Sequence, residues 1–255
     1  MKKYADLNSV VEFLDKYCAI SGYSDFEGSY NGLQFENSGK VSRIATAVDA
    51  GINEIKAAAL LGADLLLAHH GMFWTPPIPF VRHNYEKIKN IIDNDMAVYA
   101  VHLPLDAHPQ IGNNILIAQA LNLTPVGGCF EHAGKQIGVL AEAPKAGISE
   151  LERRLKSLFP STYKQIQFGS ITPSKIAICS GSCGDAVALL PEIGVDTLIC
   201  GELRQRHYTM AQELRLNLYP CGHYATECFG IMALGELLAK RFGLECDFIE
   251  MSNPL

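Results

Sequence analysis

Part of this chain is written twice, and that limits what it can fold into more than any other feature. Ser42-Arg43-Ile44-Ala45 returns as Ser174-Lys175-Ile176-Ala177, and Gly62-Ala63-Asp64-Leu65-Leu66 as Gly194-Val195-Asp196-Thr197-Leu198, both 132 residues later and without a gap. Each copy reads as strand, small-residue turn, helix, Gly, Asp and strand. In the first copy the pattern predicts an apolar strand over 44–48, a helix over 52–61 stopped by Gly62, and a buried strand over 64–68. Each copy ends on a pair of residues where its second strand stops, His69-His70 in one and Gly201-Glu202 in the other. A second correspondence, at a spacing of 121 residues, lays His102-x-x-x-Asp106 over His223-x-x-x-Glu227, each after a short apolar segment. Helices are predicted next over 115–121 and 231–242, and Leu123 falls on Leu244. Strand–helix–strand units resemble one another by composition alone, but a shared polar pair at the same point of both copies favours duplication. We therefore expect an α/β fold of two similar domains, with residues 1–126 as the first repeat and its N-terminal helix, and residues 127–255 as a linker and the second repeat.

The remaining segments read more simply. Leu7, Val10, Val11, Leu14 and Tyr17 recur at helical spacing and predict an opening amphipathic helix. Residues 21–40 are rich in Gly, Ser and Asn, include Asn31-Gly32-Leu33-Gln34, and read as loop. Residues 126–171 join the copies and carry a strand pattern over 136–141 and a helix pattern over 148–158. The 255 residues are 48% hydrophobic, enough to fill the core of one large domain or two closely packed ones. No stretch approaches the roughly 18 consecutive apolar residues of a membrane span. Met1-Lys2-Lys3 leads into Tyr4-Ala5-Asp6-Leu7-Asn8 and not into the apolar run of a signal peptide, so we expect a cytoplasmic protein away from membranes. A net charge of −6 with no basic run argues against general nucleic-acid binding.

Eight cysteines are an even number, but in a reducing compartment they are expected as free thiols, and none forms a C-x-x-C pair. Cys179 and Cys183 share a Gly/Ser-rich turn. They read first as small buried apolar residues and second as a redox or metal pair.

Ligands bind beyond the carboxyl ends of parallel strands, and there the polar clusters fall. His69 and His70 end one predicted strand; His102 ends another, with Asp106 one turn on; His223 and Glu227 do the same in the second copy. Singly, Asp106 reads as a helix cap and Glu227 as a first-turn carboxylate favoured by the helix dipole. Together with the repeat they read as ligands. Imidazole with carboxylate suits Zn, Fe, Mn, Co or Ni, and five or six such donors match two divalent ions sharing a carboxylate. His69 and His70, adjacent on an extended chain, point in diverging directions, one to each ion. His83, His132 and His207 read as hydrogen-bonded structural residues, and His108 as a loop residue near the site.

Leu-Leu-Leu-Ala-His69-His70-Gly71-Met-Phe-Trp74, His102-Leu-Pro-Leu-Asp106 and Gly222-His223-x-Ala-Thr-Glu227 occur in this order, preceded by Asn31-Gly32-Leu33-Gln34. With these motifs the whole chain resembles the Nif-three-like family of dinuclear metal-centre proteins. The resemblance implies two intertwined three-layer α/β/α domains and a two-metal site. It implies ligands at His69, His70, Asp106, His223 and Glu227, with Glu227 bridging, and a toroidal homohexamer. It also carries the description of a type-2 GTP cyclohydrolase I homologue. The linker is too short for the domain that some members insert mid-chain. His102, counterpart of His223 in the repeat, is placed outside the ligand set as a catalytic, proton-moving residue. Two functions are expected from this. One is a metal-dependent hydrolase acting on a nucleotide or related small molecule, with His102 or Glu202 moving protons. The other is a non-enzymatic metal-binding ring or metal carrier. No P-loop or Gly-rich fingerprint is present to bind a nucleotide.

Overall fold

The computed structural model describes residues 3–73 and 79–254, so Trp74 of the His69-His70 motif lies outside the described residues. In chain order the elements are β1 (Ala5–Asp6), α1 (Leu7–Tyr17), β2 (Gly32–Phe35), β3 (Lys40–Val41), β4 (Arg43–Asp49), α2 (Ile52–Leu61), β5 (Leu65–His70), α3 (His83–Asp93), β6 (Ala97–Ala100), α4 (Leu103–Asp106) and α5 (Asn113–Ala120). They continue as β7 (Pro125–His132), β8 (Lys135–Glu142), α6 (Ile148–Leu158), β9 (Ile166–Gln167), β10 (Lys175–Ser182), β11 (Thr197–Glu202), α7 (Arg206–Leu214), β12 (Asn217–Pro220), α8 (His223–Phe242) and β13 (Glu245–Phe248). Short 3-10 turns cover Ile20–Gly22 and Gly184–Leu189. Among the described residues, no helix is long and apolar enough to cross a membrane.

The chain forms two compact units, 1–105 with 230–251, and 106–229 with 252–255. Repeat and contact divide it at different places: the sequence pattern turns over near residue 126, whereas α8 and β13, late in the second copy, contribute residues 230–251 to the first unit.

In the first unit a five-stranded sheet runs β13-β4-β5-β6-β2, parallel except for β2. Leu65, Leu66, Leu67 and Ala68 are all fully buried, as a parallel strand covered on both faces requires. Ala45, Ala47, Leu66, Ala68 and Val98 face α2 and α3 through Ile55, Ala58 and Ile91. Alternate residues turn to the other face. There α8 lies so close that a Cβ at Gly235 would meet Thr46 Cγ2 at 2.3 Å, Phe13 of α1 packs on Phe242, and Tyr99 donates to Asp15 Oδ1 at 2.7 Å. The unit is therefore a three-layer α/β/α sandwich.

The second unit repeats this plan. Its sheet runs β7-β8-β10-β11-β12-β9, with β10, β11 and β12 parallel and β9 antiparallel to β12, as β2 is to β6. Ile176, Ile178, Ile199 and Tyr219 face α5 and α6, while Ala177, Cys179, Leu198 and Leu218 face the 3-10 turn and α7. Segments 42–71 and 174–203 thus share one order of elements, but the helix of the second copy is reduced to the 3-10 turn at Gly184–Leu189. The loop expected over 21–40 is corrected by β2 and β3. Four residues suffice for an edge strand when β6 supplies its partner, and so short a run carries no periodic signal.

Candidate metal centre

In the first unit β5 and β6 deliver three imidazoles. His69 is fully buried at the last-but-one position of β5, His70 follows it, and His102 stands two residues past β6. Their ring centroids are 4.8, 5.1 and 5.5 Å apart. Each ring is oriented from behind by an acceptor: His69 Nδ1–H donates to Val101 O at 2.9 Å, His70 Nδ1–H to Asp49 Oδ1 at 2.8 Å, and His102 Nδ1–H to Asp25 Oδ1 at 2.8 Å. That arrangement fixes the tautomer and leaves the Nε2 lone pair as what each ring offers, the usual support for a metal-ligating histidine. One ring nitrogen from each of the three lies within 4.8 Å of the others. The donor set and its backing fit a divalent ion of the zinc or iron kind, and they put His102 on the same footing as His69 and His70.

The segment read as featureless loop supplies the support. Asp25 holds His102 Nδ1 through one oxygen and accepts from Leu103 N and Asn31 Nδ2 through the other, while Asn31 Oδ1 accepts from His102 N at 2.6 Å. Burial pushes the Asp25 carboxyl upward, but its hydrogen bond and charge interaction with His102, with help from Asn31, outweigh that and hold it at about 2. Gln34 of the same motif accepts from Met72 N at 2.7 Å and so ties β2 to the backbone beyond His70. Gly71 permits that approach: a Cβ there would lie 2.1 Å from Gln34 Nε2 and 2.7 Å from Ala100 Cβ. Asp25 and Asp49 were invisible in the sequence. Their only signal is an acid whose partner stands 77 or 21 residues away.

In the second unit Asp106 and Glu227 are buried carboxylates, at 7% and 3% exposure, where an anion needs a cation or donors. Asp106 ends α4 and accepts at Oδ1 from Asn113 Nδ2 (2.8 Å) and Ser180 Oγ (2.9 Å). His223 opens α8 and Glu227 follows one turn later, with His223 Nε2 3.1 Å from Glu227 Oε2 and His223 Nδ1 3.2 Å from Glu202 Oε1. Burial lowers the affinity of His223 for a proton, yet Glu227 and Glu202 more than reverse this and raise its pKa to about 9. A helix beginning at His223 rather than at residue 231 makes the His-x-x-x-Glu spacing a same-face pair.

The other histidines lie in turns and at element ends. His108 Nδ1 accepts from Gln110 N and Ile111 N in a turn, His207 Nδ1 accepts from Arg204 N at 2.9 Å, His83 opens α3, and His132 ends β7. Cys179 and Cys183 are buried, as expected of small apolar residues, but they are also joined as a disulfide, which corrects the expectation of free thiols throughout.

A family model for Duf34/NIF3 (NGG1p interacting factor 3) matches residues 5–254. The chain belongs to this family. Among its Duf34/NIF3 relatives, a Deinococcus radiodurans protein named GTP cyclohydrolase 1 type 2 homolog is 36% identical over 249 residues, covering 97% of this chain and 94% of its own. A Pyrococcus horikoshii protein of the same name is 38% identical over 253 residues, covering 98% of each. Among solved structures, protein ybgI, described as of unknown function, superposes with a TM-score of 0.90 at 30% identity, covering 98% of this chain and all of its own. Reduced HcgD from Methanocaldococcus jannaschii, at 23% identity and a TM-score of 0.86 over 97% of this chain and 99% of its own, shares the fold.

Proposed function

We propose that this Duf34/NIF3 protein binds a pair of divalent metal ions through His69, His70, Asp106, His223 and Glu227, with His102 added to the set, and acts as a metal-dependent hydrolase on a nucleotide or related small molecule. The observation that carries the metal half is the trio of imidazoles, each held at Nδ1 by an acceptor, with one ring nitrogen from each within 4.8 Å of the others. Bound ions would supply Lewis acidity and an activated water. The chain's own residues would do the rest. Asp49, Asp25 and Glu202 hold the rings in register, and Glu202, with its side chain 46% exposed, is the carboxylate best placed to pass a proton to or from solvent. The hydrolase half draws support from the name GTP cyclohydrolase 1 type 2 homolog borne by relatives that cover nearly the whole chain.

Metal analysis of freshly purified protein is expected to give two ions per chain. His69→Ala and His102→Ala should each lower that content, and Glu227→Ala should lower it most, because a carboxylate shared by two ions also screens their repulsion. If His102→Ala keeps both ions, His102 returns to a proton-moving role. Metal-loaded protein should then turn over at least one member of a nucleotide and phosphoester panel, GTP included, above its metal-stripped form. Metal bound without turnover across the panel would leave the ring scaffold or metal carrier in its place.

A further inference from the structure

We propose that Cys179 and Cys183 are a redox-modification site, a dithiol that closes to a disulfide, and that its state sets how firmly Asp106 and the His223–Glu227 pair are held. The second half of this rests on the metal-binding role proposed above. The two cysteines flank an irregularity in β10: Cys179 still pairs with Cys200 of β11, the register then shifts, and pairing resumes at Ser182 with Glu202. The two residues squeezed out of register, Ser180 and Gly181, are those that touch the donor side chains. Ser180 Oγ donates to Asp106 Oδ1, and Ser180 N donates to Asn114 Oδ1 at 2.7 Å. Gly181 N donates to Thr226 Oγ1 at 3.1 Å, one residue before Glu227. Gly181 has φ +62°, and a Cβ on it would lie 2.1 Å from Glu227 Oε1 and 3.2 Å from His223 Nε2. The bulge is thus pressed against the carboxylate it supports, and the disulfide ties its two ends at a Cα–Cα distance of 6.0 Å.

Bulges re-aim side chains and are held by their flanks. A link only four residues long constrains the unfolded chain far less than a long-range one, so its effect is local, on the bulge. Opening it needs a two-electron donor, for which a small dithiol serves. One thiolate of the reductant attacks a sulfur of the pair, the S–S bond breaks, and the second cysteine leaves and takes up a proton. The reductant's other thiol then displaces the first cysteine and closes its own disulfide. Closure by a disulfide such as oxidised glutathione is the same exchange reversed, releasing two thiols. With the pair open, the bulge loses its clamp, and the hydrogen bond to Asp106 and the seat under Glu227 loosen. Such supporting contacts typically change metal affinity by about 10–100-fold.

The test uses the full chain and zinc, which has no redox chemistry of its own. One sample is reduced with dithiothreitol and another treated with oxidised glutathione; both are desalted without air, alkylated in part for peptide mass analysis, and titrated with zinc against a chromophoric chelator. The oxidised sample should yield a peptide with Cys179 and Cys183 unalkylated and joined, and the reduced sample should bind zinc about tenfold more weakly. The Cys179→Ser, Cys183→Ser double variant should bind zinc alike after both treatments, with Cys183→Ala as a substitute if the double variant folds poorly. Two alkylated cysteines after oxidation would overturn the modification site. Equal zinc affinity in the two states would overturn the coupling. An additional zinc taken up only by the reduced form would make the pair a metal ligand and overturn the proposal. No zinc in either state would sink the metal-binding role and the coupling with it, while the peptide result still decides whether the disulfide forms.

Discussion

Asp25 shows what a single residue outside the obvious motifs contributes. Its carboxylate receives His102 Nδ1–H, Leu103 N and Asn31 Nδ2 at once, so it fixes both the ring and the start of α4. Asp25→Asn keeps the shape but turns one oxygen into a donor; because Oδ1 accepts from His102 Nδ1 and Phe26 N and Oδ2 from Leu103 N and Asn31 Nδ2, the new N–H faces a donor in either orientation and loosens the seat of His102. We expect metal affinity to fall on the order of tenfold with the far-ultraviolet dichroism unchanged; chelator competition reads the first and dichroism the second. An unaltered affinity would mean that His102 does not ligate. The candidate donors themselves were legible in the sequence because the 121-residue correspondence shows the same spacing twice, with His102 over His223 and Asp106 over Glu227. Asp25 and Asp49 have no such counterpart, since position 181, where the repeat would set a mate for Asp49, is a glycine that must be small to sit under Glu227. Asp25 and Asp49 are therefore the part of the site that only folding reveals.

At the scale of elements, the legible ones are those whose periodicity is long and whose burial is one-sided or complete. The amphipathic pattern of 148–158 became α6 over the same residues, and the apolar run before His69 became β5. Besides the helices α3 and α7, which were not read from the sequence, the misses were short pieces that take their shape from a neighbour, such as β2 on β6, β9 on β12, and the 3-10 turn that replaces a helix after Ser182. β2 matters to the site because Gln34 spans from it to Met72 N. Gly71→Ala places a methyl against Ala100 Cβ, which cannot swing aside, as well as against Gln34. The expected cost is about 1–3 kcal/mol, read as a lower denaturation midpoint in urea, and zinc binding should weaken in step. Leu66→Ala offers the comparison: it empties a fully buried position on the same sheet at a cost of about 2–5 kcal/mol, from within the core cluster that faces α2 and α3. If Gly71→Ala proves as stable as the parent, the approach of β2 to β5 is looser than the contacts imply.

For the whole molecule, the open quantity is how many chains assemble. The hexamer is an expectation drawn from the family resemblance, and the surface of the first unit gives it a physical motive. Leu60 of α2 is 90% exposed and Ile92 of α3 is 66% exposed, with Tyr85 of α3 also exposed. Large apolar side chains set on adjacent helices leave area in water that an interface would recover at roughly 25 cal/mol per Å². Light scattering at micromolar concentration should report about six times the chain mass of 27.9 kDa. Leu60→Glu puts a charge on the α2 surface, so if that face is a seam it should shift the mass downward with little change in the fold of the chain, since the side chain touches almost nothing within it. An unchanged mass for Leu60→Glu would move the seam to another surface, whereas a parent chain that stays monomeric at that concentration would remove the hexamer altogether.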